Sequence, residues 1–234
     1  MLACAVVAPA KTYIVACGIA DYPGDKHDLP NPANDARSVA WLFQKNNAGN
    51  VTGQLLLDSN ATRDNIITAM KNVFGEARPD DTVLFFFSGH GSRGALSAYD
   101  GKIDYATVCD ALAASAARNK MIIADACFSG KMREADTSAD LNAICRNGSV
   151  MMFLSSRGNE SSIDSPELTN GLFTAYIMRA LRGRADRNRN RVITARELYD
   201  YVSEGVVKIS KGKQHPVMWG NFYDAMPIVK WPKK

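Results

Sequence analysis

The sequence predicts an α/β domain in which a mostly parallel central sheet is covered by helices on both faces. Three observations lead there. The segments "TVLFFF" from Thr82, "MIIADA" from Met121 and "VMMFLSS" from Val150 are apolar throughout, as strands buried on both faces must be. Between them lie segments whose apolar residues recur at helical spacing. The chain of 234 residues, 46% hydrophobic and 22% charged, is long enough to bury a core without disulfide staples, and it shows no repeat and no dividing linker.

Taken in order, "TYIVAC" from Thr12 to Cys17 is a buried strand, and a turn rich in Asp, Pro and Gly follows it. Asn31 and Pro32 then fit the N-cap and first position of a helix with Ala36, Val39, Ala40 and Phe43 on its inner face and Asp35 in its first turn. A short strand from Gln54 to Asp58 leads to a helix whose Ile66, Ile67, Met70, Val73 and Phe74 form one face. After the strand at Thr82, the turn signal at Tyr99 to Gly101 predicts a hairpin, and a helix runs from Tyr105 to about Ala117. The strands at Met121 and Val150 follow. The helix "NGLFTAYIMRALRG" and another beginning near Thr194 complete the reading.

Composition excludes several classes of function. A net charge of +4 is mild, and the basic run from Arg182 to Arg191 reads as a solvated loop, so no nucleic-acid partner is expected. No apolar run is long enough to span a membrane. The five cysteines, at 4, 17, 109, 127 and 145, show no C-x-x-C spacing, which indicates neither a zinc site nor a disulfide framework; most are expected to be small buried hydrophobes. The first ten residues, "MLACAVVAPA", have an apolar stretch and a small-x-small end before Lys11, as the tail of a signal peptide does. Export to the periplasm or the outside is therefore expected, with residues 11–234 forming one domain.

The chain has three histidines, and one of them ends an apolar strand between two glycines, in "LFFFSGHGSR". "MIIADACFSG" repeats the design with a cysteine. Parallel strands joined by a crossover helix are usually neighbours, about 4.8 Å apart, and their carboxyl ends share the edge where α/β sheets bind ligands. His90 and Cys127 should therefore meet. An imidazole beside a thiol can take its proton and leave a thiolate that attacks acyl carbons. Gly89, Gly91 and Gly130 let the backbone bend sharply, and the main-chain N–H groups of Gly91 and Cys127 are the candidate oxyanion donors. His27 and His215 lack such surroundings and read as structural or solvated.

These residues resemble a known family. "SGHG" at Ser88 to Gly91 and "DACFSG" at Asp125 to Gly130, with "GIADY" at Gly18 to Tyr22 and "NDA" at Asn34 to Ala36, are similar to the caspase-like peptidases, in particular the metacaspase and bacterial caspase-domain branch. The resemblance runs from about Lys11 to Asn221. It implies a caspase-hemoglobinase sandwich, a Cys127 nucleophile with His90 as acid/base partner, a peptide or protein substrate and no organic cofactor.

Asp35 and Asp125 should both lie near the carboxyl edge, where they could hold a guanidinium or ammonium. Metacaspases resemble the chain at both positions and prefer Arg or Lys before the cleaved bond, and the resemblance adds Ser88 to that pocket. The loop from Ser155 to Glu167 contains Arg157 beside Glu160 and Asp164, and an arginine facing the pocket would oppose this preference. "DRNRNRVITARE" puts Asp186, Asn188, Asn190, the Val192 carbonyl, Thr194 and Glu197 on EF-hand positions, but Arg191 stands where the sharp turn needs glycine and only two side chains are carboxylates. No metal is expected there, and Asp186 and Thr194 are read as caps; many metacaspases need calcium, which leaves the ion as an open cofactor question. Lys131, Arg133 and Arg146 make the segment from Lys131 to Gly148 a candidate for self-processing or an ordinary surface loop. The competing function is a catalytically silent module of the same fold that binds a partner with this edge.

Overall fold

The computed structural model describes residues 10–47, 49–92, 94–126, 148–156 and 169–231. In chain order the elements are β1 (Thr12–Gly18), α1 (Pro32–Asn46), β2 (Val51–Leu57), α2 (Arg63–Gly75), β3 (Thr82–Gly89), β4 (Gly91–Ser92), β5 (Ala95–Ser97), β6 (Lys102–Asp104), α3 (Tyr105–Ala113), β7 (Asn119–Ala126), β8 (Val150–Leu154), α4 (Leu172–Arg179), β9 (Val192–Thr194), α5 (Ala195–Ile209), β10 (Val217–Gly220) and β11 (Pro227–Lys230). The central sheet has the order β10-β8-β7-β3-β1-β2. Its strands run parallel except β10, which pairs antiparallel with β8. The expected mostly parallel sheet is present, and so is the hairpin at Tyr99, where β5 pairs with β6 and β4 joins them in a small antiparallel sheet.

The alternation of side chains along each strand divides the core in two. Tyr13, Val15 and Cys17 of β1, with Phe85 and Phe87 of β3, pack toward α2 and α3. Ile14 and Ala16, with Leu84 and Phe86, pack toward α1, α4 and α5. Because both faces are covered, the inner strands β1, β3, β7 and β8 have no polar side, and their sequences read largely apolar. Four phenylalanines, Phe85, Phe86, Phe87 and Phe153, are fully buried within the sheet, each contributing of order 2–3 kcal/mol relative to exposure.

Several boundaries differ from those expected. The second strand begins at Val51 rather than Gln54, and α3 ends at Ala113 rather than Ala117. Asn31 holds the N-cap position of α1 and Pro32 the first helical one, but the Asn31 side chain makes no capping bond. The helix after Gly171 opens into a wider turn at Ala180–Arg184, where Gly183 takes φ 102. Strands β4, β9, β10 and β11, each of two to four residues, gave no periodic signal in the sequence.

One cysteine differs from the reading above. Cys109 on α3 is disulfide-bonded, whereas Cys17 is a free, buried thiol that burial pushes far up in pKa. Half-cystines meet through the fold, so linear spacing carried no sign of the bridge.

Candidate active site

The carboxyl edge of the sheet is where the expected residues converge. Strands β3 and β7 keep an unbroken parallel register that pairs Ser88 with Asp125 and Gly89 with Ala126. Gly89 is bonded to His90, and Ala126 to Cys127. Cys127 itself lies outside the described residues, as do Arg157, Glu160, Asp164 and the segment 131–147; the expected leader is outside them through residue 9.

His90 is held from three sides. Its Nε2 lies 2.7 Å from the backbone carbonyl of His27, and because a carbonyl only accepts, Nε2 carries the proton and Nδ1 is the basic nitrogen. Its backbone N–H donates to Tyr22 Oη at 2.9 Å, and its carbonyl accepts from Ser97 N–H at 3.0 Å. The ring of Tyr22 lies 4.8 Å from the imidazole, centroid to centroid, and that of His27 lies edge-on at 6.4 Å. The His27 side chain is exposed, as expected for a solvated residue; its backbone role had no sequence signature. Gly91 opens β4 and pairs with Leu96.

Beside this histidine sits a buried acidic pocket. Asp35, 1% exposed, and Asp125, 6% exposed, come together from the first turn of α1 and the end of β7. Ser88 Oγ donates to Asp35 Oδ2 at 2.8 Å, while Asn170 Nδ2 and Gly171 N–H donate to Asp35 Oδ1 at 2.8 and 3.1 Å. Thr174 donates to Asp125 Oδ2 through both its hydroxyl, at 2.9 Å, and its backbone N–H, at 3.3 Å. The first turn of α4 thus offers N–H groups to both carboxylates, as the positive end of a helix does.

Glycine 171 is required between them. A Cβ there would lie 2.8 Å from Asp125 Oδ2 and 3.3 Å from Asp35 Oδ2, so any side chain would push the pair apart. Burial, and then the Asp125 carboxylate beside it, pushes the Asp35 carboxyl up to about 8, against the lowering effect of the bonds from Asn170, Ser88 and Gly171. Among the described residues the ion pairs are surface ones, such as Arg63–Asp64 and Arg196–Asp200, and none involves Asp35. Two buried carboxylates brought side by side suit a cationic guest.

Of the residues singled out in the sequence, Asp35, Ser88 and Asp125 are brought together, and His90 follows Ser88 by two residues at the end of β3. Asn170, Gly171, Thr174, Tyr22 and the His27 carbonyl were missed. Tyr22 lies in "GIADY", and that stretch was the one signal that pointed to it.

The segment with EF-hand spacing is organised by local hydrogen bonds. Asp186 spends both oxygens on the backbone N–H groups of Asn190 and Arg191, at 3.1 and 3.0 Å. Glu197 forms a capping box with Thr194 at the start of α5. Both carboxylates thus accept hydrogen bonds within the segment, in the capping roles expected for Asp186 and Thr194.

Along 79 residues the chain is 32% identical to metacaspase-1 of Candida albicans, a stretch that covers 31% of this chain and 18% of that protein. The crystal structure of protein GSU0716 from Geobacter sulfurreducens superposes with a TM-score of 0.67 at 16% identity, over 95% of this chain and all of that one, which shows the shared fold. Residues 11–225 match the family model of the caspase domain, and the chain belongs to that family of cysteine peptidases.

Proposed function

We propose that the chain is a cysteine endopeptidase that uses Cys127 and His90 and cleaves after Arg or Lys. Supporting the dyad is the β3–β7 register, which sets the residues directly before His90 and Cys127 opposite each other. The observation that carries the specificity is the Asp35–Asp125 pair, buried, hydrogen-bonded and without a basic partner for Asp35 among the described residues.

In the reaction His90 Nδ1 takes the proton of Cys127 Sγ, while Nε2–H stays on the His27 carbonyl and stabilises the imidazolium that forms. The thiolate attacks the scissile carbonyl carbon. Negative charge moves to the carbonyl oxygen, where the N–H groups of Gly91 and Cys127 receive it. As the C–N bond breaks, the imidazolium returns its proton to the leaving amine. Water, deprotonated by the same nitrogen, then attacks the thioester, and Sγ leaves with the proton. No metal or cofactor enters any step.

Export remains the favoured location, supported by the disulfide at Cys109, because disulfides persist in oxidising compartments.

The test is hydrolysis of fluorogenic peptides ending in Arg, Lys, Asp or Asn before the reporter, by wild type and Cys127→Ala, with calcium and with EDTA. Cleavage after Arg or Lys, lost by at least about 1000-fold in the variant and indifferent to EDTA, is expected. Cleavage after Asp would overturn the pocket. A folded wild type that cleaves none of these peptides would favour the binding module.

A further inference from the structure

Among the described residues, Tyr22 touches the candidate catalytic histidine through both its ring and its hydroxyl, and the peptidase reading assigns it nothing. It is 7% exposed, in the connection between β1 and α1. Its hydroxyl accepts from His90 N–H and donates to the Ser97 carbonyl, both at 2.9 Å, so it bridges the His90 backbone to β5. Gly89 makes room for this, since a Cβ there would stand 2.6 Å from that oxygen.

The segment that carries Tyr22 is itself tied down. Ala20 and Asp21 N–H groups donate to Asp58 Oδ1 at 2.8 and 3.1 Å, Tyr22 N–H donates to Asp28 Oδ1 at 3.1 Å, and Leu29 N–H closes back on the Ala20 carbonyl at 2.8 Å. The same segment supplies the His27 carbonyl that takes the Nε2 proton. One short stretch thus fixes the imidazole's backbone, one face of its ring and its tautomer. Burial keeps the Tyr22 phenol protonated well above its ordinary range, with the His90 N–H bond opposing and the Asp58 carboxylate adding to that effect, so the donor to Ser97 persists at every working pH.

On the reading of His90 and Cys127 as the catalytic pair, we propose that Tyr22 is a positioning residue: its hydroxyl and ring lock His90 in the orientation that leaves Nδ1 as base for the thiol. Without the hydroxyl, His90 N–H and the Ser97 carbonyl lose a shared partner, and the imidazole is free to turn away from the His27 carbonyl.

The experiment compares wild type, Tyr22→Phe and Tyr22→Leu in two ways. Kinetics on an Arg peptide are paired with the rate of iodoacetamide alkylation from pH 5 to 9, with Cys127→Ala subtracted for the other thiols. Tyr22→Phe should lower kcat by about 10- to 100-fold with KM within about twofold, a part of the roughly 100- to 10,000-fold that general acid–base catalysis contributes. Its alkylation profile should shift toward higher pH, and Tyr22→Leu should exceed it in both respects. An unchanged alkylation profile, or a loss carried wholly by KM, would overturn the proposal.

Separately, ¹⁵N-histidine labelling of Cys127→Ala reads the tautomer directly among only three histidines. His90 should be protonated on Nε2 alone, and become a tautomer mixture in Cys127→Ala/Tyr22→Phe. A mixture already present with Tyr22 in place would overturn the proposal even if the Tyr22 variants fail to fold. Absence of peptide cleavage by wild type would count against the peptidase reading, while the tautomer experiment still decides the role of Tyr22.

Discussion

Replacing Asp35 by Asn should make the protein more stable in base and less active on Arg peptides. The carboxyl titrates at about 8 in the fold against 3.8 for the free group, so between those values the folded state holds a proton that the unfolded state has released. Stability from this group is therefore full below the lower value and is lost as pH rises to about 8. The shift of about four units corresponds to roughly 5 kcal/mol at 1.36 kcal/mol per unit, an upper bound for an isosteric neutral replacement. The amide keeps part of the geometry: its oxygen can face Asn170 and Gly171, and the Ser88 hydroxyl can turn to accept from its NH2. With the charge-assisted bonds gone, a net gain of about 2 kcal/mol at pH 9 is expected, which is roughly 4–8 °C for a chain of this size. At pH 6 the folded carboxyl is neutral but the unfolded one is already ionised, so part of the penalty is present there too, and the variant should be favoured at pH 9 over pH 6 by up to roughly 3 kcal/mol.

Activity should move the other way. Removing one partner of a buried charge pair costs about 2 kcal/mol or more, or roughly 30-fold in kcat/KM for an Arg peptide. At pH 7 only about a tenth of the wild-type carboxyl is ionised in the free enzyme, so the ratio of wild type to variant should grow about tenfold between pH 7 and 9. Thermal unfolding at pH 6 and 9 and kinetics across the same range check both limbs. A variant destabilised by base as much as the wild type, or an activity ratio independent of pH, would refute the account of the pocket.

Two further outcomes follow from the same geometry. Gly171→Ala places a methyl 2.8 Å from Asp125 Oδ2; it should raise KM for Arg and Lys peptides at least about tenfold and cost about 1–3 kcal/mol in a denaturant midpoint, and unchanged KM would remove Gly171 from the pocket. Cys109→Ser breaks the bridge on α3 and should lower stability by about 2–5 kcal/mol, a loss that a reductant should reproduce in the wild type and that urea unfolding with and without it will measure.

The parts of this molecule that could be read from sequence are those where one physical demand acts on neighbouring residues. A strand buried on both faces must be apolar at every position, so β3, β7 and β8 were plain, and an apolar run that stops at a histidine between glycines marked His90. Asp35 and Asp125 were legible because topology alone sends them to one edge. Asn170, Gly171 and Thr174 were not, because a helix start that aims its N–H groups at a carboxylate has the same sequence as one that aims them at water. The His27 carbonyl is invisible for the same reason: every residue has one. Short strands such as β9 and β11 owe their state to pairing across 33 or more residues, between Thr194 and Pro227 for instance, rather than to any local preference.

The bond from Asn170 to Asp35 spans 135 residues, and those from Thr174 to Asp125 and from Ser88 to Asp35 span 49 and 53. A ribosome adding about 5–20 residues per second needs on the order of 10 s to pass from the first member of the longest pair to the last. Until then the nascent chain carries its histidine and cysteine strands but lacks the residues that close the acidic pocket. The order of elements thus acts as a timer: a growing chain can complete its acidic pocket only after the first turn of α4 has been made.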